Sequence, residues 1–303
     1  MIRRPPRSTL DRSSAASDVY KRQLQRKAER TRLGIPVTIA TDPRHGARED
    51  EKGVGGIYTP SFSRWPTSLV LAATRDSSLV REFGEIAREE YKACGIRLAL
   101  HPMADLATEP RWARINGTFG EDAELSAAMT YAYIKGFQGD TLSNKSVITM
   151  VKHFSGGGPQ KDGEDAHFPY GKEQVYPGNN FDYHLIPFTK GALPANTGQI
   201  MPYYGIPVGQ TKEKVGFGFN KEIITELLRD SLKFDGVICT DWNIINTMPL
   251  AELAGGERSW GVENLTPEQR MKKVILAGVD LIGRHNITKQ KFNLVKRGEI
   301  EER

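Results

Sequence analysis

Gly236-Val-Ile-Cys-Thr-Asp-Trp242 is the stretch on which the fold turns. A short apolar, β-branched run closes on a carboxylate and an indole, the pattern of a buried strand that presents its last residues to a ligand. Four segments upstream close in the same way: Asp42 after Ile35-Pro-Val-Thr-Ile-Ala-Thr, His101 after Ile96-Arg-Leu-Ala-Leu, Lys152-His153 after Val147-Ile-Thr-Met-Val, and Tyr203-Tyr204 after Gln199-Ile-Met-Pro. Chemistry collected at the carboxyl ends of strands is how a β/α barrel builds a site.

Working outward, short β-branched runs alternate with amphipathic segments from Leu33 onward, which predicts a parallel sheet with crossover helices. Six strands are expected, at 35–42, 96–101, 147–153, 199–204, 236–241 and 279–283. Helices are expected at 77–93 with Asp76 as N-cap, 121–136, 182–193, 221–232 capped by Asn220, 266–277 and 287–297. A further short strand can hide in Ser68-Leu-Val-Leu-Ala-Ala. The fold class is α/β, a (β/α)8 TIM-like barrel incomplete at its N-terminus, since six strands are two short of closure.

Bulk properties fit one such domain over residues 24–303. The chain has 303 residues, 38% apolar and 26% charged, within the range of ordinary globular enzymes. No apolar run approaches the roughly 20 residues needed to cross a bilayer, so no membrane partner is expected. The net charge of +5 suggests nucleic acid until it is located. Residues 1–23 hold six Lys and Arg against two acids, a net of +4, and the other 280 carry 36 against 35, a net of +1. That leaves no field to steer a polyanion, and no nucleic-acid partner is expected.

Residues 1–23 also lack apolar periodicity and a secretory apolar core, so no packed element is expected there. They look like a translated sequencing-adapter leader joined to a gene fragment. Localisation is therefore left open. The two cysteines, Cys94 and Cys239, have neither metal-ligand nor redox spacing and read as buried free thiols.

Several groups can carry chemistry. Lys152-His153-Phe-Ser-Gly-Gly-Gly158 sets a cation and an imidazole before glycines that allow close backbone approach to a ligand. A phosphate loop would need Gly-Lys-Ser/Thr opening a helix, and Pro159-Gln-Lys-Asp follows instead. Asp241-Trp242 pairs a carboxylate able to attack an anomeric carbon with an indole able to stack on a pyranose, or else Asp241 caps the next helix. Asp42, Arg44, Arg111 and Arg114 offer bidentate hydrogen bonds to vicinal hydroxyls, with surface ion pairs as the alternative.

Together these pieces resemble glycoside hydrolase family 3, the β-glucosidase family. The resemblance runs from about Leu24 to the end. It rests on Gly34-Ile-Pro-Val-Thr-Ile-Ala-Thr-Asp-Pro-Arg-His-Gly46, Pro110-Arg-Trp-Ala-Arg-Ile-Asn-Gly-Thr-Phe-Gly-Glu-Asp122, Lys152-His153-Phe, Met201-Pro-Tyr-Tyr204, Gly236 to Trp242 and Ala277-Gly-Val-Asp280. It implies hydrolysis of terminal β-D-glucosyl or related residues by a retaining double displacement, with Asp241 as nucleophile. It further implies that Asp42, Arg114, Lys152 and His153 bond the sugar hydroxyls, that Met201 and Tyr204 sit beside the nucleophile and that Trp242 packs on the sugar. No metal or organic cofactor is implied, and the partner is a β-glucoside or oligosaccharide.

The sequence departs from the family pattern at Trp112-Ala113-Arg114 and Asn116-Gly117. The general acid/base is not identified by the pattern. Many two-domain relatives supply a Glu from a following α/β sandwich, which is expected to lie outside this chain. Within the barrel, Asp165-Ala166-His167 is similar to the Asp-x-His dyad of the family's β-N-acetylglucosaminidases, and a β-N-acetylhexosaminidase using Asp165 and His167 is the alternative. A sugar-binding fragment without complete catalysis is the third reading.

Overall fold

The structure, a computed structural model, describes residues 9–46, 62–246, 258–283 and 288–301. Its described strands are β1 (Ala40–Thr41), β2 (Leu98–Ala99), β3 (Ile148–Phe154), β4 (Glu173–Gln174), β5 (Gln199–Pro202), β6 (Ile206–Pro207) and β7 (Val237–Ile238). Five of them form one sheet in the order β1-β2-β3-β5-β7, and every pairing is parallel. A sixth position joins where Cys239 bridges Leu281 in parallel. Strands that add in chain order in one direction make a barrel wall; a doubly wound sheet would reverse its order partway. β4 and β6 pair separately, an element the strand pattern did not predict.

Side-chain alternation divides the core. Leu98, Leu100, Met150, Met201 and Cys239 cluster together with Ile148 and Trp242, forming the interior layer of the wall. Val151, Ile200 and Ile238, between them in sequence, turn outward into the packing layer of the helices.

The described helices are α1 (Thr9–Glu29), α2 (Ser68–Ala73), α3 (Ser77–Ala93), α4 (Ala123–Gln138), α5 (Phe181–Ile186), α6 (Pro267–Leu276) and α7 (Thr288–Lys296). π-wound segments run over Pro187–Ala192 and Glu222–Ser231. Their starts follow local chemistry. Asp76 accepts from Ser78 N and Leu79 N, Asp122 from Leu125 N, and Thr266 forms a reciprocal capping box with Gln269. α3 and α4 cross closely at a glycine pair: a Cβ on Gly136 would sit 2.5 Å from Arg81 O, and one on Gly84 2.9 Å from Gly136 Cα.

Four expectations are corrected. Residues 9–23 belong to helix α1, because Thr9–Glu29 contains Ala, Leu, Lys, Arg and Gln with no Gly or Pro. Lys21 Nζ donates to Cys94 O at 2.5 Å, and the Gln25 amide bonds the Val37 main chain in both directions. Ser68–Ala73 is a helix rather than a strand, started by the Thr67 hydroxyl accepting from Val70 N. Only 40–41 of the expected strand 35–42 pairs; Ile35 and Val37 are exposed, and Pro36 has no N–H to give a ladder. Cys94, expected to be buried, is exposed at the end of α3, while Cys239 is buried in the wall.

Candidate active site

Asp241 is 7% exposed and lies just past β7. Its Oδ1 accepts from Tyr204 Oη at 2.7 Å and from Trp242 N at 2.7 Å. Among the described residues its Oδ2 has no hydrogen-bond partner, and it lies 3.6 Å from His153 Nε2. A buried carboxylate with one oxygen engaged and the other unspent departs from the rule that buried polar groups are satisfied. Residues 242–246 form turns, so Asp241 caps no helix there.

His153 is fixed from behind. Asp105, fully buried, accepts from His153 N at 3.1 Å and meets His153 Nδ1 at 3.0 Å through Oδ2. Its Oδ1 also accepts from Gly157 N. Burial alone would raise the Asp105 pKa, but His153 and the Gly157 amide hold it lowered, so the group is an anion at neutral pH. The segment that carries Asp105 is held against β3, with Ala104 N donating to Lys152 O at 2.6 Å and Lys152 N to Pro102 O at 3.0 Å. Two of the three glycines are required by the protein's own packing: a Cβ on Gly157 would sit 2.8 Å from Asp105 Oδ1, and one on Gly158 1.6 Å from Leu106 O.

Lys152 Nζ, on the neighbouring residue, donates to Asp42 Oδ1 at 3.1 Å, so the ends of β1 and β3 share an ion pair. Arg114 is half-buried. Burial alone would lower its pKa, but the field of Tyr203, Asp105, Asp165 and Asp241 raises it, so one fixed cation faces three carboxylates.

Asp165 and His167 belong to the same chamber. Asp165 Oδ1 meets His167 Nδ1 at 2.5 Å and His167 N at 2.8 Å, and Oδ2 accepts from Trp112 Nε1 at 2.8 Å. The His167 ring stands edge-on to Tyr204, centroids 4.8 Å apart. Burial lowers the His167 pKa, Asp165 opposes that, Arg114 adds to it, and Asp241 acts in the raising direction. Asp165 is held well below the usual carboxylate range, because the His167 and Trp112 hydrogen bonds outweigh burial.

Of the residues singled out in the sequence, Arg114, His153, Tyr204, Asp241, Asp165 and His167 are thus linked by contact or by field, and Asp42 and Lys152 form a separate ion pair next to His153 in the chain. Met201 lies in the interior layer beside Cys239 and Trp242. The Trp242 ring covers Gly283, where a Cβ would sit 1.9 Å from its Cε3. His101, also at a strand end, is turned away: it is buried between Tyr91 Oη at 3.1 Å and Tyr133 Oη at 2.6 Å. Arg111 pairs with Glu109 on the surface.

Sequence reasoning missed Asp105 and Arg258. Asp105 follows a strand end by a few residues in Pro102-Met-Ala-Asp105, and an acid after an expected strand was the available signal. Arg258 has its guanidinium 5.2 Å over the Tyr204 ring and Nε donating to His167 O at 3.4 Å; its sequence surroundings give no cue. Among the described residues no group of three His, Cys, Asp or Glu is placed to hold a metal ion. No described helix is long and apolar enough to cross a membrane. The arrangement brings a carboxylate oxygen without a partner among the described residues together with a fixed guanidinium and two oriented imidazoles.

Fold and site together define a β/α-barrel protein with its polar centre at the carboxyl ends of the strands. The chain belongs to glycosyl hydrolase family 3: residues 5–303 match the model described as "Glycosyl hydrolase family 3 N terminal domain". It is 54% identical over 281 residues to Beta-glucosidase C of Emericella nidulans, covering 92% of this chain and 45% of that protein. It is 48% identical over 277 residues to the Periplasmic beta-glucosidase/beta-xylosidase of Dickeya chrysanthemi, covering 86% and 42%. The chain thus spans less than half the length of these relatives.

Among solved structures, the exo-1,3/1,4-beta-glucanase of a Pseudoalteromonas species superposes with a TM-score of 0.75 at 22% identity, covering 95% of this chain and 33% of that one. The beta-glucosidase of Listeria innocua in complex with isofagomine gives 0.72 at 25%, covering 92% and 35%. The fold is the TIM-like (β/α)8 barrel of this family.

Proposed function

We propose that this chain is the catalytic barrel of a retaining, exo-acting β-glycosidase, a β-glucosidase, with Asp241 as nucleophile. The observation that carries the proposal is the buried Asp241 Oδ2, without a partner among the described residues, 3.6 Å from His153 Nε2 and within the field of Arg114. The names of the Emericella and Dickeya relatives support the β-glucosyl substrate.

In this reading Oδ2 attacks the anomeric carbon from the face opposite the aglycone, whose oxygen leaves with a proton from a general acid. Water later opens the glycosyl ester from the face the aglycone vacated, giving its proton to that same group acting as base. Asp42 accepts from sugar hydroxyls, and so does the Nε2 of His153, whose Nδ1 hydrogen is held by Asp105, while Lys152 and Arg114 donate to them. Charged partners make the stronger hydrogen bonds, which orient the ring for attack. Tyr204 and Met201 wall the nucleophile, and Trp242 offers an apolar face to the pyranose.

The test is labelling with 2-deoxy-2-fluoro-β-glucosyl fluoride. Fluoride leaves without protonation, so ester formation needs the nucleophile but no general acid. The expected result is a single glycosyl adduct on the peptide carrying Asp241, absent from Asp241→Asn. An adduct on another carboxylate, or none, overturns the assignment.

A second reading is favoured by one contact, the His167 ring at 4.8 Å from Tyr204 with Asp165 behind it. His167 would then protonate the leaving oxygen, as in a β-N-acetylhexosaminidase. An aryl N-acetylglucosaminide turned over faster than the aryl glucoside, with the activity lost in His167→Ala, would select it.

A further inference from the structure

Trp112 is 1% exposed, and an indole N–H can only donate. It spends that donor on Asp165 Oδ2 at 2.8 Å, across a gap of 53 residues. The other Asp165 oxygen meets both the ring Nδ1 and the main-chain N of His167, at 2.5 and 2.8 Å. A second indole closes on the same tripeptide: Trp260 Nε1 donates to Ala166 O at 2.7 Å. Two rigid aromatic donors therefore converge on Asp165-Ala166-His167, one on the carboxylate and one on the main chain. Gly171 folds back beneath them, so close that a Cβ there would sit 2.2 Å from Asp165 O.

A carboxylate held on one oxygen alone can swing about its Cβ–Cγ bond. Held on both, it presents Oδ1 to the imidazole in one orientation, and a ring nitrogen facing an anionic acceptor keeps its hydrogen. The other nitrogen is then fixed as the one without a proton, the logic by which carboxylates orient histidines that bind metals or move protons. Among the described residues His167 Nε2 makes no hydrogen bond, so it is the nitrogen left to meet a ligand.

We propose that Trp112 is a positioning residue for His167: by clamping Asp165 it locks the imidazole as the Nδ1–H tautomer and presents a bare Nε2 to the Asp241 chamber. The proposal rests on that chamber being the glycoside site, but its first readout does not need turnover.

The experiment is ring-nitrogen NMR of His167 in the full chain at about pH 8, where the group is neutral. The resonances are assigned by their loss in His167→Gln. Native protein is expected to show one protonated Nδ1 and one bare Nε2. Trp112→Phe keeps an aromatic ring and deletes the donor, and is expected to give averaged shifts from two tautomers. It should also show kcat/KM about tenfold lower on an aryl glycoside, with KM little changed and the pH profile displaced. Should Trp112→Phe fail to fold, 3-benzothienylalanine at position 112 replaces N–H by sulfur in the same shape.

Native shifts retained in the folded variant overturn the proposal. If the tautomer shifts while the native chain takes no fluoroglucosyl label, the positioning role stands and the glycosidase reading falls.

Discussion

Tyr204 donates its hydroxyl to the Oδ1 of Asp241 at 2.7 Å and so divides the carboxylate into one committed and one free oxygen. The phenol is able to do this at any ordinary pH, because burial and then the Asp241 charge push its pKa well up. Hydrogen bonds to a charged group contribute about 1.5–3 kcal/mol. Tyr204→Phe is therefore expected to lower kcat/KM on an aryl β-glucoside about 10- to 100-fold and to lower the melting temperature as well, as activity assays and calorimetry will read. A variant with native kcat/KM removes the oxygen-partition argument.

Asp105 and His153 make a sharper separation between stability and activity. Asp105→Ala strands three buried donors, those of His153 N, His153 Nδ1 and Gly157 N, and is expected to cost about 3 kcal/mol or more in urea unfolding. Asp105→Asn keeps an acceptor but loses the charge that orients the ring, so it should lose less stability and still lose activity. Equal unfolding midpoints for Ala and native protein would contradict the buried-acceptor role.

Lys152 is joined to Asp42 and is expected to bind a sugar hydroxyl with its remaining donors. Lys152→Met preserves the length of the stem and removes the charge. Glucose binding by calorimetry should weaken at least tenfold, in keeping with about 1.5–3 kcal/mol for a charged hydrogen bond. Unchanged affinity would place the sugar elsewhere.

Legibility divided along physical lines. The wall was readable because the strands are β-branched runs closing on polar residues, and the start of α3 because Asp76 caps it by local hydrogen bonds; α4 and α6 begin one or two residues past the expected starts, at the caps Asp122 and Thr266. The strand reading failed at Ser68–Ala73, where an apolar run of six residues suits either state and only the Thr67 cap decides. The family resemblance pointed to Arg114, His153, Tyr204, Asp165 and His167, which the structure brings near Asp241, itself visible as a lone carboxylate closing a strand. What stayed hidden were partners far apart in sequence: Asp105 against His153, Trp112 against Asp165, Arg258 against Tyr204. Such pairings depend on which loops the barrel rim brings together, and no local pattern encodes them. His101 shows the converse, a strand-end histidine that reads as chemistry but is used to join Tyr91 and Tyr133 in an aromatic layer.

His184 gives the last prediction, on acid stability. It sits in α5 at 1% exposure, edge-on to Tyr176, with Nδ1 lacking a hydrogen-bond partner among the described residues. Burial pushes its pKa down from 6.5 to about 4, with Asp105 opposing. Between those values the unfolded chain binds a proton that the folded chain refuses, so stability falls as pH falls from about 6.5 to about 4. At about 1.4 kcal/mol per pH unit, the loss from this group approaches about 3 kcal/mol. His45, His101 and His167 are lowered as well and give a background of the same sign. His184→Phe keeps a flat ring against Tyr176 and removes the proton site. Urea midpoints measured from pH 7 to pH 4 should therefore decline less steeply in the variant than in the native protein. Parallel declines would show that His184 is not the buried neutral group its surroundings make it.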